Sequence, residues 1–423
     1  MEKKENGAVH AAVFDLNGLW RGKRYPEGSL EKLVSGSMRM PISILTSDIW
    51  GRDVTANPLI LEHGDADGLA IATGRGPISV GGADLVPMWF VDDEERPHKL
   101  DPRGALFHIA EEFKTRGLTA GVGTELEFYL VEPESGGLIT TTEHTLSLAE
   151  LERLGPFFDD VEAHCKAHDI QVETGTSEFG PGQCEVVLKY GSDIVKAADD
   201  LVLAKHIIRH VARAHGVDAC FMAKPIGTSA GNGLHAHVSL STAAGNLFAN
   251  GLDGDTPLKH AISGLLRAMP ASTLFFAPHF NSYRRFVDGM VAPVQVSWGV
   301  ENRTVAVRVA DADGPNIRLE HRVAGVDANP YLVLSAILQS ILKGLDEKFD
   351  PGEPIKGNAY ETDVARLPNT WTAAIKTLSD GLHHFQHFDP LLTSSVILCK
   401  RQELRRFTEE ISDFERQTYG RVI

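Results

Sequence analysis

The sequence has little of what marks a secreted, membrane-spanning or nucleic-acid-binding protein. Its four cysteines are too few and too scattered for a disulfide framework or a zinc finger. No apolar run approaches the roughly 20 residues that span a bilayer, and the first residues lack the apolar stretch of a secretory signal. The formal net charge of -16 argues against a general binder of the nucleic-acid backbone, which would present a basic face. We therefore expect a cytoplasmic protein with reduced thiols that binds neither membranes nor nucleic acids.

The chain of 423 residues is long enough for two domains. Residues 8–100 carry short apolar runs, ending at Leu16, Leu45 and Leu61, that are broken by Gly, Pro and Asp, as in a small sheet-rich domain. Asp101 can cap a helix with Pro102 in its first turn. These signals predict an α+β fold with domains at 1–100 and 101–423. Further helices are predicted at about 192–214, 330–343, 370–382 and 401–419, with strands between 117 and 192 and again after 214.

Four strand-like segments place charged residues on one face and apolar residues on the other. Because side chains alternate along a strand, Glu125 and Glu127 share a face opposite Leu126 and Phe128. A single strand of this kind is more often the wet face of a sheet, but four that concentrate Glu and His favour a cation site. The polar faces of the other three segments carry His235, His237 and Ser239, then Arg318, Glu320 and Arg322, and finally Glu185.

Carboxylates and arginines together indicate phosphoryl transfer. Oxygen ligands predominate and no cysteine takes part, so magnesium or manganese fits better than zinc. Planar guanidinium groups suit carboxylate and phosphate oxygens, and acids that hold metals beside arginines that hold anions are typical of such a site. The predicted cation ligands are Glu125, Glu127, Glu178, Glu185, Glu320 and His235, and the arginines are Arg285, Arg303, Arg308, Arg318 and Arg322.

Eight motifs follow one another along nearly the whole chain. They are Asp15-Leu16-Asn17-Gly18 to Lys23, the paired glutamates 125 and 127, Pro181 to Glu185, Lys224-Pro225 with Gly231 to His237, Asn281 to Arg285, Glu301-Asn302-Arg303, Arg318 to Arg322, and Asn329 to Leu332. In these motifs and their order the chain resembles the glutamine synthetases, and within them the branch of γ-glutamylpolyamine and γ-glutamylmonoamine synthetases.

The resemblance implies a small N-terminal β-grasp domain before a catalytic domain with an antiparallel active-site sheet. It also implies homo-oligomers of stacked six-membered rings, most simply dodecamers, with sites between neighbouring subunits. Glu127, Glu178 and Glu185 are then expected to hold one cation, and Glu125, His235 and Glu320 the other. Expected glutamate contacts are Arg285, Gly231 and Gly233; the phosphate side takes Arg303 and Arg322, and the nucleotide side His237, Ser239, Arg308 and Arg318.

The implied reaction uses ATP and two to three Mg²⁺ or Mn²⁺ ions. A carboxylate is a poor electrophile, so ATP first converts the glutamate side chain to an acyl phosphate, which an amine then attacks. Water would destroy this intermediate, so we expect closure over the site by loops near Gly289 and Gly314.

Two positions depart from the pattern of ammonia-using members. Val291 stands where those enzymes carry a loop glutamate that accepts the ammonium proton, and Ala230 stands where Asn is common. Met290 and Val291 instead offer an apolar wall. The expected acceptor is therefore a bulky apolar or aromatic monoamine, joined to glutamate as a γ-glutamyl amide.

Three alternatives stay open at this point. In the first, Glu178, or Asp48 of a neighbouring subunit, accepts the amine proton and the acceptor is a polyamine. In the second, the chain is a true glutamine synthetase that uses ammonia. In the third, the chain is a catalytically silent structural relative, although all six cation positions are present.

Overall fold

The structure, a computed structural model, describes residues 7–140 and 145–423. The polar residues 1–6, which contributed to the expectation of no secretory signal, lie outside the described residues. Within the described part of the chain, no helix has the length and apolar character needed to cross a membrane.

A six-stranded sheet forms the first part of the described chain. Its strand order is β2-β1-β6-β4-β3, with β5 paired to β6. Strands β1 and β6 run parallel, and all the other pairs of this sheet run antiparallel. The alternation of buried and exposed residues in β3 shows that one face of that strand is packed. The strands are β1 Ala8–Phe14, β2 Trp20–Pro26, β3 Ser37–Pro41, β4 Asp67–Ala72, β5 Ile78–Val80 and β6 Ala83–Val91, with helix α1 at Leu30–Val34.

Two of the apolar runs in this region are not strands, which corrects the expectation for them. The run around Ile42 forms a 3-10 helix, Ile42–Thr46, and the run that ends at Leu61 leads into another, Leu61–His63. Pro41 explains the first case, because proline has no N–H to donate and ends β3 where the turn begins.

A nine-stranded sheet forms the centre of the larger part. Its order among the described residues is β13-β14-β15-β11-β7-β9-β8, with β10 on β7 and β12 on β11. Except for the parallel pair β13–β14, the neighbours run antiparallel. The strands are β7 Thr119–Val131, β8 Val172–Ser177, β9 Gln183–Gly191, β10 Asp218–Cys220, β11 Leu234–Thr242, β12 Gly245–Asn246, β13 Trp298–Val300, β14 Val307–Ala310 and β15 Arg318–His321.

Helices cover the apolar face of this sheet. Leu126, Phe128 and Leu130 of β7 are buried in the core, as the alternation predicts, while Glu125 and Glu127 lie on the opposite face. The polar face is therefore the open one. The helices are α2 Pro102–Thr115, α3 Leu148–Ala167, α4 Ile194–Ala214, α5 Pro257–Phe276, α6 Pro330–Glu347, α7 Trp371–Asp380, α8 Pro390–Glu409 and α9 Asp413–Tyr419.

The capped start of α2 is confirmed. The Asp101 carboxylate accepts hydrogen bonds from the backbone N–H groups of Arg103 and Gly104, and Pro102 occupies the first turn. Asp101 also accepts from the N–H of Phe90 in β6, so one carboxylate ties the helix to the first sheet. The predicted division of the chain at residues 100 and 101 stays a prediction.

The predicted helix at 401–419 is wrong in its bounds. Helix α8 begins at Pro390, where Asp389 accepts from Leu391 N–H, and ends at Glu409. A second helix then starts after Ser412, which forms a capping box with Glu415. The helices α3 and α5 were not predicted, because each carries an interior proline, Pro156 and Pro270, that reads as a helix breaker.

Candidate active site

Glu125 is held by two histidines of the neighbouring strand. In the pairing of β7 with β11, Glu125 lies directly opposite His235. Its carboxylate accepts from Nδ1 of His235 at 2.8 Å and from Nε2 of His237 at 2.7 Å. Burial alone would raise the pKa of Glu125, but these two bonds hold it well below its usual range. The carboxylate is therefore fixed in its charged, ligating form.

Two sets of potential cation ligands meet on this polar face. Their ligand atoms lie within 4.8 Å of one another in each set. Burial, followed by the charges of neighbouring glutamates, raises the pKa of Glu185 to about 9. A divalent cation would relieve the same crowding of negative charge, so the donor set fits Mg²⁺ or Mn²⁺. The sets are Glu125, Glu185 and His235, and Glu125, His237 and Glu320.

The two distance-based sets cross the expected division of the ligands between two ions. Ligand atoms of Glu185 lie near those of Glu125 and His235, and those of His237 lie near Glu125 and Glu320, while Glu185 is also directly opposite Glu127 in the pairing of β7 with β9. Burial, followed by the charges of Glu127 and Glu125, raises the pKa of Glu178 to about 7. All six predicted ligands thus share one acidic centre, while their assignment to individual ions stays a prediction.

Gly233 lets Glu127 approach the backbone. The N–H of Gly233 donates to Oε2 of Glu127 at 2.5 Å. A Cβ at Gly233 would lie 2.7 Å from Nε2 of His235 and 2.9 Å from a terminal nitrogen of Arg285. A side chain at this position would therefore displace a candidate ligand and a candidate substrate contact at once, which explains the glycine.

Glu320 is the anionic partner of two arginines. It lies opposite both His237 of β11 and Arg308 of β14, and it pairs with Arg308 and Arg322. Burial opposes ionisation, yet the charges of Arg322, His235 and the other neighbours lower the pKa of Glu320 to about 2. Because Glu320 and Arg322 are both buried, this cluster keeps two guanidinium groups in fixed positions beside the acidic centre.

A cavity of about 760 Å³ opens on one side of the cluster. All the residues predicted for the nucleotide line it, and Arg303, predicted for the phosphates, lines it too. Within it, Nε of Arg318 donates to Nδ1 of His237 at 3.2 Å, so the other nitrogen of that imidazole carries the proton that it gives to Glu125. The predicted nucleotide residues are His237, Ser239, Arg308 and Arg318.

Tyr190 is a wall residue of this cavity that the sequence did not reveal. Its hydroxyl lies 2.9 Å from Oγ of Ser239, and its ring lies across Gly121, where a Cβ would clash with the phenol. The strand pairing of β7 with β9 shifts register between Val122 and Thr124. This bulge breaks strict alternation, which is why a residue five positions after Glu185 faces the cavity.

A narrow crevice lies on the other side of the cluster. It is lined by the expected glutamate contacts Arg285 and Gly231 and by the apolar pair Met290 and Val291, with Phe179 at the same crevice. Its volume of about 10 Å³ is close to that of one water molecule. A glutamate cannot enter without displacing part of this lining, and Met290 and Val291 belong to an irregular segment outside the sheet, as do Phe179 and Gly231.

Buried guanidinium nitrogens in the crevice region are available for an anion. Arg285 uses two nitrogens to donate to the carbonyl oxygens of Val323 and Arg322. Nε of Arg285 and Nε of Arg322 are buried and find no hydrogen-bond partner within the described parts of the chain. Unpaired buried donors are unfavourable until a ligand or water satisfies them, so both fit a carboxylate or phosphate.

Asp48 lies outside the cluster within one chain. Its carboxylate accepts from the N–H groups of Trp50 and Arg52 and from the side chain of Gln402. It lines neither the cavity nor the crevice as far as the described residues show. Its expected role, which requires a neighbouring subunit, stays a prediction.

Fold and site together are those of an enzyme whose acidic centre lies between a cavity and a narrow crevice. Residues 99–419 match the model of the glutamine synthetase catalytic domain. The chain therefore belongs to the glutamine synthetase family, and the predicted resemblance, α+β fold class and ligase class are confirmed. Members of this family use ATP and divalent cations.

The similar proteins include both γ-glutamyl amine ligases and glutamine synthetases. The chain is 33% identical to a γ-glutamylputrescine synthetase of Escherichia coli strain K12 over 96% of this chain and 90% of the relative. It is 30% identical to a glutamate–isopropylamine ligase of a Pseudomonas species, over 85% and 83%. A solved structure described as a complex of GmaS with ADP matches with a TM-score of 0.84 and 25% identity, over 99% of this chain and 97% of that one.

Proposed function

We propose that this enzyme joins an amine to the side-chain carboxylate of glutamate in two steps driven by ATP. The observation that carries the proposal is the cluster of Glu125, His235 and His237 with Glu320 and its two arginines, lying between cavity and crevice. Cavity and crevice would then hold the nucleotide and glutamate on opposite sides of the acidic centre.

Residues on the cavity side would hold the nucleotide. Ser239, Arg308 and Arg318 supply polar contacts, and the exposed ring of Tyr190 offers a surface on which a purine can stack. Divalent cations, two to three by family pattern, would lie among Glu125, Glu127, Glu178, Glu185, His235 and Glu320 and offset the negative charge of phosphates and carboxylates when bound. Arg303 is exposed and lines the cavity, and it would contact the outer phosphates.

Arg285 and Arg322 would orient glutamate and stabilise the transferred phosphate. In the first step an oxygen of the glutamate side chain forms a bond to the terminal phosphorus and ADP leaves. In the second, the amine nitrogen attacks the carbonyl carbon, the carbon–oxygen bond to phosphate breaks, phosphate leaves with the electron pair, and the proton lost by the nitrogen goes to that phosphate. The buried, unpaired Nε atoms of both arginines suit the anionic groups in these steps.

The crevice favours an amine with an apolar or aromatic body. Its wall contains Phe179, Met290, Val291 and Ala292, so hydrocarbon is buried where a loop carboxylate would otherwise bind a cation. An alkylamine with the pKa of a lysine side chain costs about 4 to 5 kcal/mol to deprotonate at pH 7. An aromatic amine avoids this cost because it is already neutral. The similarity to a protein named for isopropylamine supports the apolar choice.

A polyamine is the second candidate acceptor. Glu178 lies at the same crevice, next to Phe179, and its carboxylate can attract an ammonium group. The similarity to a protein named for putrescine supports this alternative. Ammonia as the main substrate has less support, because Val291 offers neither charge nor a hydrogen bond to ammonium.

An amine panel tests the proposal. Purified enzyme with ATP, Mg²⁺ and glutamate is given ammonium, isopropylamine, aniline or putrescine, and both phosphate release and amide formation are measured. We expect the highest kcat/KM with isopropylamine or aniline. Preference for putrescine selects the second candidate, preference for ammonium refutes the amine assignment, and no amide with any amine refutes the ligase proposal. The variant Glu353→Gln, which changes an exposed carboxylate away from the cavity and the crevice, should match the parent.

Assembly and location stay predictions. Stacked rings of six would bring Asp48 of a neighbouring subunit to the crevice, and analytical ultracentrifugation would detect them as a species of six or twelve chains. The expected cytoplasmic location is tested by cell fractionation.

A further inference from the structure

The loop that carries Met290 and Val291, residues 287–292, contains a strained turn. Val291 has a φ of 67°, and the N–H of Ala292 donates to the carbonyl of Met290 at 2.8 Å, which closes a γ-turn around Val291. A β-branched residue rarely adopts this conformation. It persists only where the surroundings hold it, so the contacts of this loop decide whether the crevice keeps its wall.

Tyr360 makes the shielded contact to this turn. Its hydroxyl donates to the carbonyl of Ala292 at 3.0 Å, and Ala292 is buried. A second side-chain contact, from Arg366 to Asp288 at 2.7 Å, joins two half-exposed side chains and is therefore weak. The Tyr360 hydroxyl thus holds the strained turn in place through Ala292, the residue that follows Val291.

Tyr360 belongs to a segment that also reaches the phosphate side. We call residues 355–367 the strap. Asn302 donates to the carbonyl oxygens of Gly357 at 2.8 Å and Ile355 at 3.2 Å, and Oγ1 of Thr304 accepts from the N–H of Ala359 at 2.9 Å. These two anchors flank Arg303, which lines the nucleotide cavity.

The strap therefore connects both halves of the site through named bonds. One end holds the residues on either side of Arg303, and one residue after the Ala359 anchor, Tyr360 holds the crevice wall. Tyr360 also lies close enough to Arg285 and Arg322 for their charges to act on its phenol. A shift of Arg303 on nucleotide binding has a short, hydrogen-bonded route to Val291.

We propose that Tyr360 is a positioning residue, which couples the phosphate-side segment 302–304 to the acceptor loop 287–292 and closes that loop when nucleotide is bound. The inference rests on the proposed function for its consequence: a closed loop keeps water from the acyl phosphate. When the loop is loose, the oxygen of water attacks the carbonyl carbon, the carbon–oxygen bond to phosphate breaks, and glutamate and phosphate form. One proton goes to phosphate and the other to solvent.

The first test measures the loop directly and needs no turnover. Hydrogen–deuterium exchange of residues 287–292 is followed in the full-length enzyme with and without Mg²⁺ and ADP. We expect nucleotide to slow exchange at least threefold in the parent, and Tyr360→Phe to lose this slowing. The variant Asn302→Ala, which releases the strap at its far end without touching the loop, should lose it too. Unchanged slowing in both variants overturns the proposal.

The second test measures leakage during turnover. The ratio of amide formed to phosphate released is determined with the best acceptor of the amine panel. Tyr360→Phe should lower this ratio at least threefold and raise KM for the amine, while the rate of glutamate-dependent phosphate release is retained. A uniform loss of rate at constant ratio would indicate a merely structural role and overturn the coupling.

A matched control removes a hydroxyl elsewhere. Tyr419→Phe changes an exposed tyrosine near the end of α9 and should leave both the exchange and the ratio unchanged. The two proposals fail in different ways. If the parent forms no amide, the proposed function fails and the exchange experiment still decides the coupling; if it forms amide with a ratio that Tyr360→Phe does not alter, the coupling alone fails.

Discussion

Glu125 and His235 lie directly opposite each other on paired antiparallel strands, with Oε2 of the carboxylate 2.8 Å from Nδ1 of the imidazole. Because Glu125 binds Nδ1 of His235, Nε2 of the same imidazole is left to bind a cation. Glu125, itself a candidate ligand, therefore orients the candidate ligand His235. Orientation of this kind raises ligand basicity and fixes the tautomer. The cation centre is therefore built into the register of β7 and β11.

Removing the charge of Glu125 should abolish stabilisation by cations. We expect Mg²⁺ or Mn²⁺ at 100 times its dissociation constant to stabilise the parent by about 2.7 kcal/mol. In Glu125→Gln this increment should largely vanish, because both candidate ligand sets contain Glu125. Thermal unfolding with and without cation measures it. Glu353→Gln is the control, and an equal increment in Glu125→Gln would contradict the assignment.

Glu320 should matter to stability as well as to catalysis. Glu320→Gln removes the buried carboxylate that pairs with both the buried Arg322 and the largely buried Arg308, so we expect a loss of about 3 to 5 kcal/mol in unfolding free energy. Urea unfolding in EDTA separates this loss from cation binding. Glu301→Gln removes an exposed partner 3.4 Å from Arg308 and should cost less than about 1 kcal/mol. Equal losses in the two variants would refute the argument from burial.

Sequence patterns predict the residues of this site that follow the strict alternation of side chains along a strand. Glu125, Glu127, His235, His237 and Glu320 lie on one polar face because each segment keeps the period of two. Tyr190 was not predicted as a cavity residue, because a bulge in the pairing of β7 with β9 changes which residues face the cavity. The pattern also gives no distance, so the pairing of Glu185 with Glu125 and His235 emerged only from the fold.

Contacts between remote segments were likewise out of reach. Tyr360 and Ala292 are far apart in the chain, and no periodicity links them. Helix α5 was missed for a different reason: Pro270 lies inside it, and helix propensity alone predicts that a helix ends at such a proline. Tertiary packing overrides such local signals, whereas caps such as Asp101 with Pro102 are local and were readable.

Tyr190 should contribute to nucleotide binding through its ring. A base stacked on an aromatic side chain gains about 1–3 kcal/mol, so Tyr190→Ser should weaken binding of ADP with Mg²⁺ by about tenfold or more, as measured by calorimetry. Tyr190→Phe keeps the ring and loses only the bond to Ser239, so its affinity should stay close to the parent. If both variants bind equally weakly, the hydroxyl and not the ring is responsible.

Lys205 should make stability depend on pH. This amine is buried, its nitrogen lies over the ring of Phe221, and it donates to the carbonyl of Val326 at 2.6 Å. Burial, and then the charge of Arg209, lowers its pKa to about 7. The unfolded chain thus binds the proton more tightly, so unfolding free energy should rise with pH between about 7 and the ordinary value near 10.4. Below about 7 this contribution is lost.

Lys205→Met should flatten that rise. The variant removes the titrating group but keeps an unbranched side chain of similar length. The melting temperature of the variant relative to that of the parent should therefore be highest near pH 7. Melting curves from pH 7 to 10 measure the slope. The control Lys376→Met changes a lysine on the exposed side of α7 and should leave the slope unchanged. An undiminished slope in Lys205→Met would assign the pH dependence to another group.

Val291 should set the choice between ammonia and larger amines. Val291→Glu places a carboxylate at the crevice and also replaces a β-branched residue at a φ of 67°. We expect the ratio of kcat/KM for ammonium to that for isopropylamine to rise at least tenfold, because the carboxylate attracts ammonium and removes hydrocarbon contact. Val291→Gln, of the same size without the charge, should raise it far less. An equal rise in both would mean that the loss of apolar surface, rather than the charge, decides the acceptor.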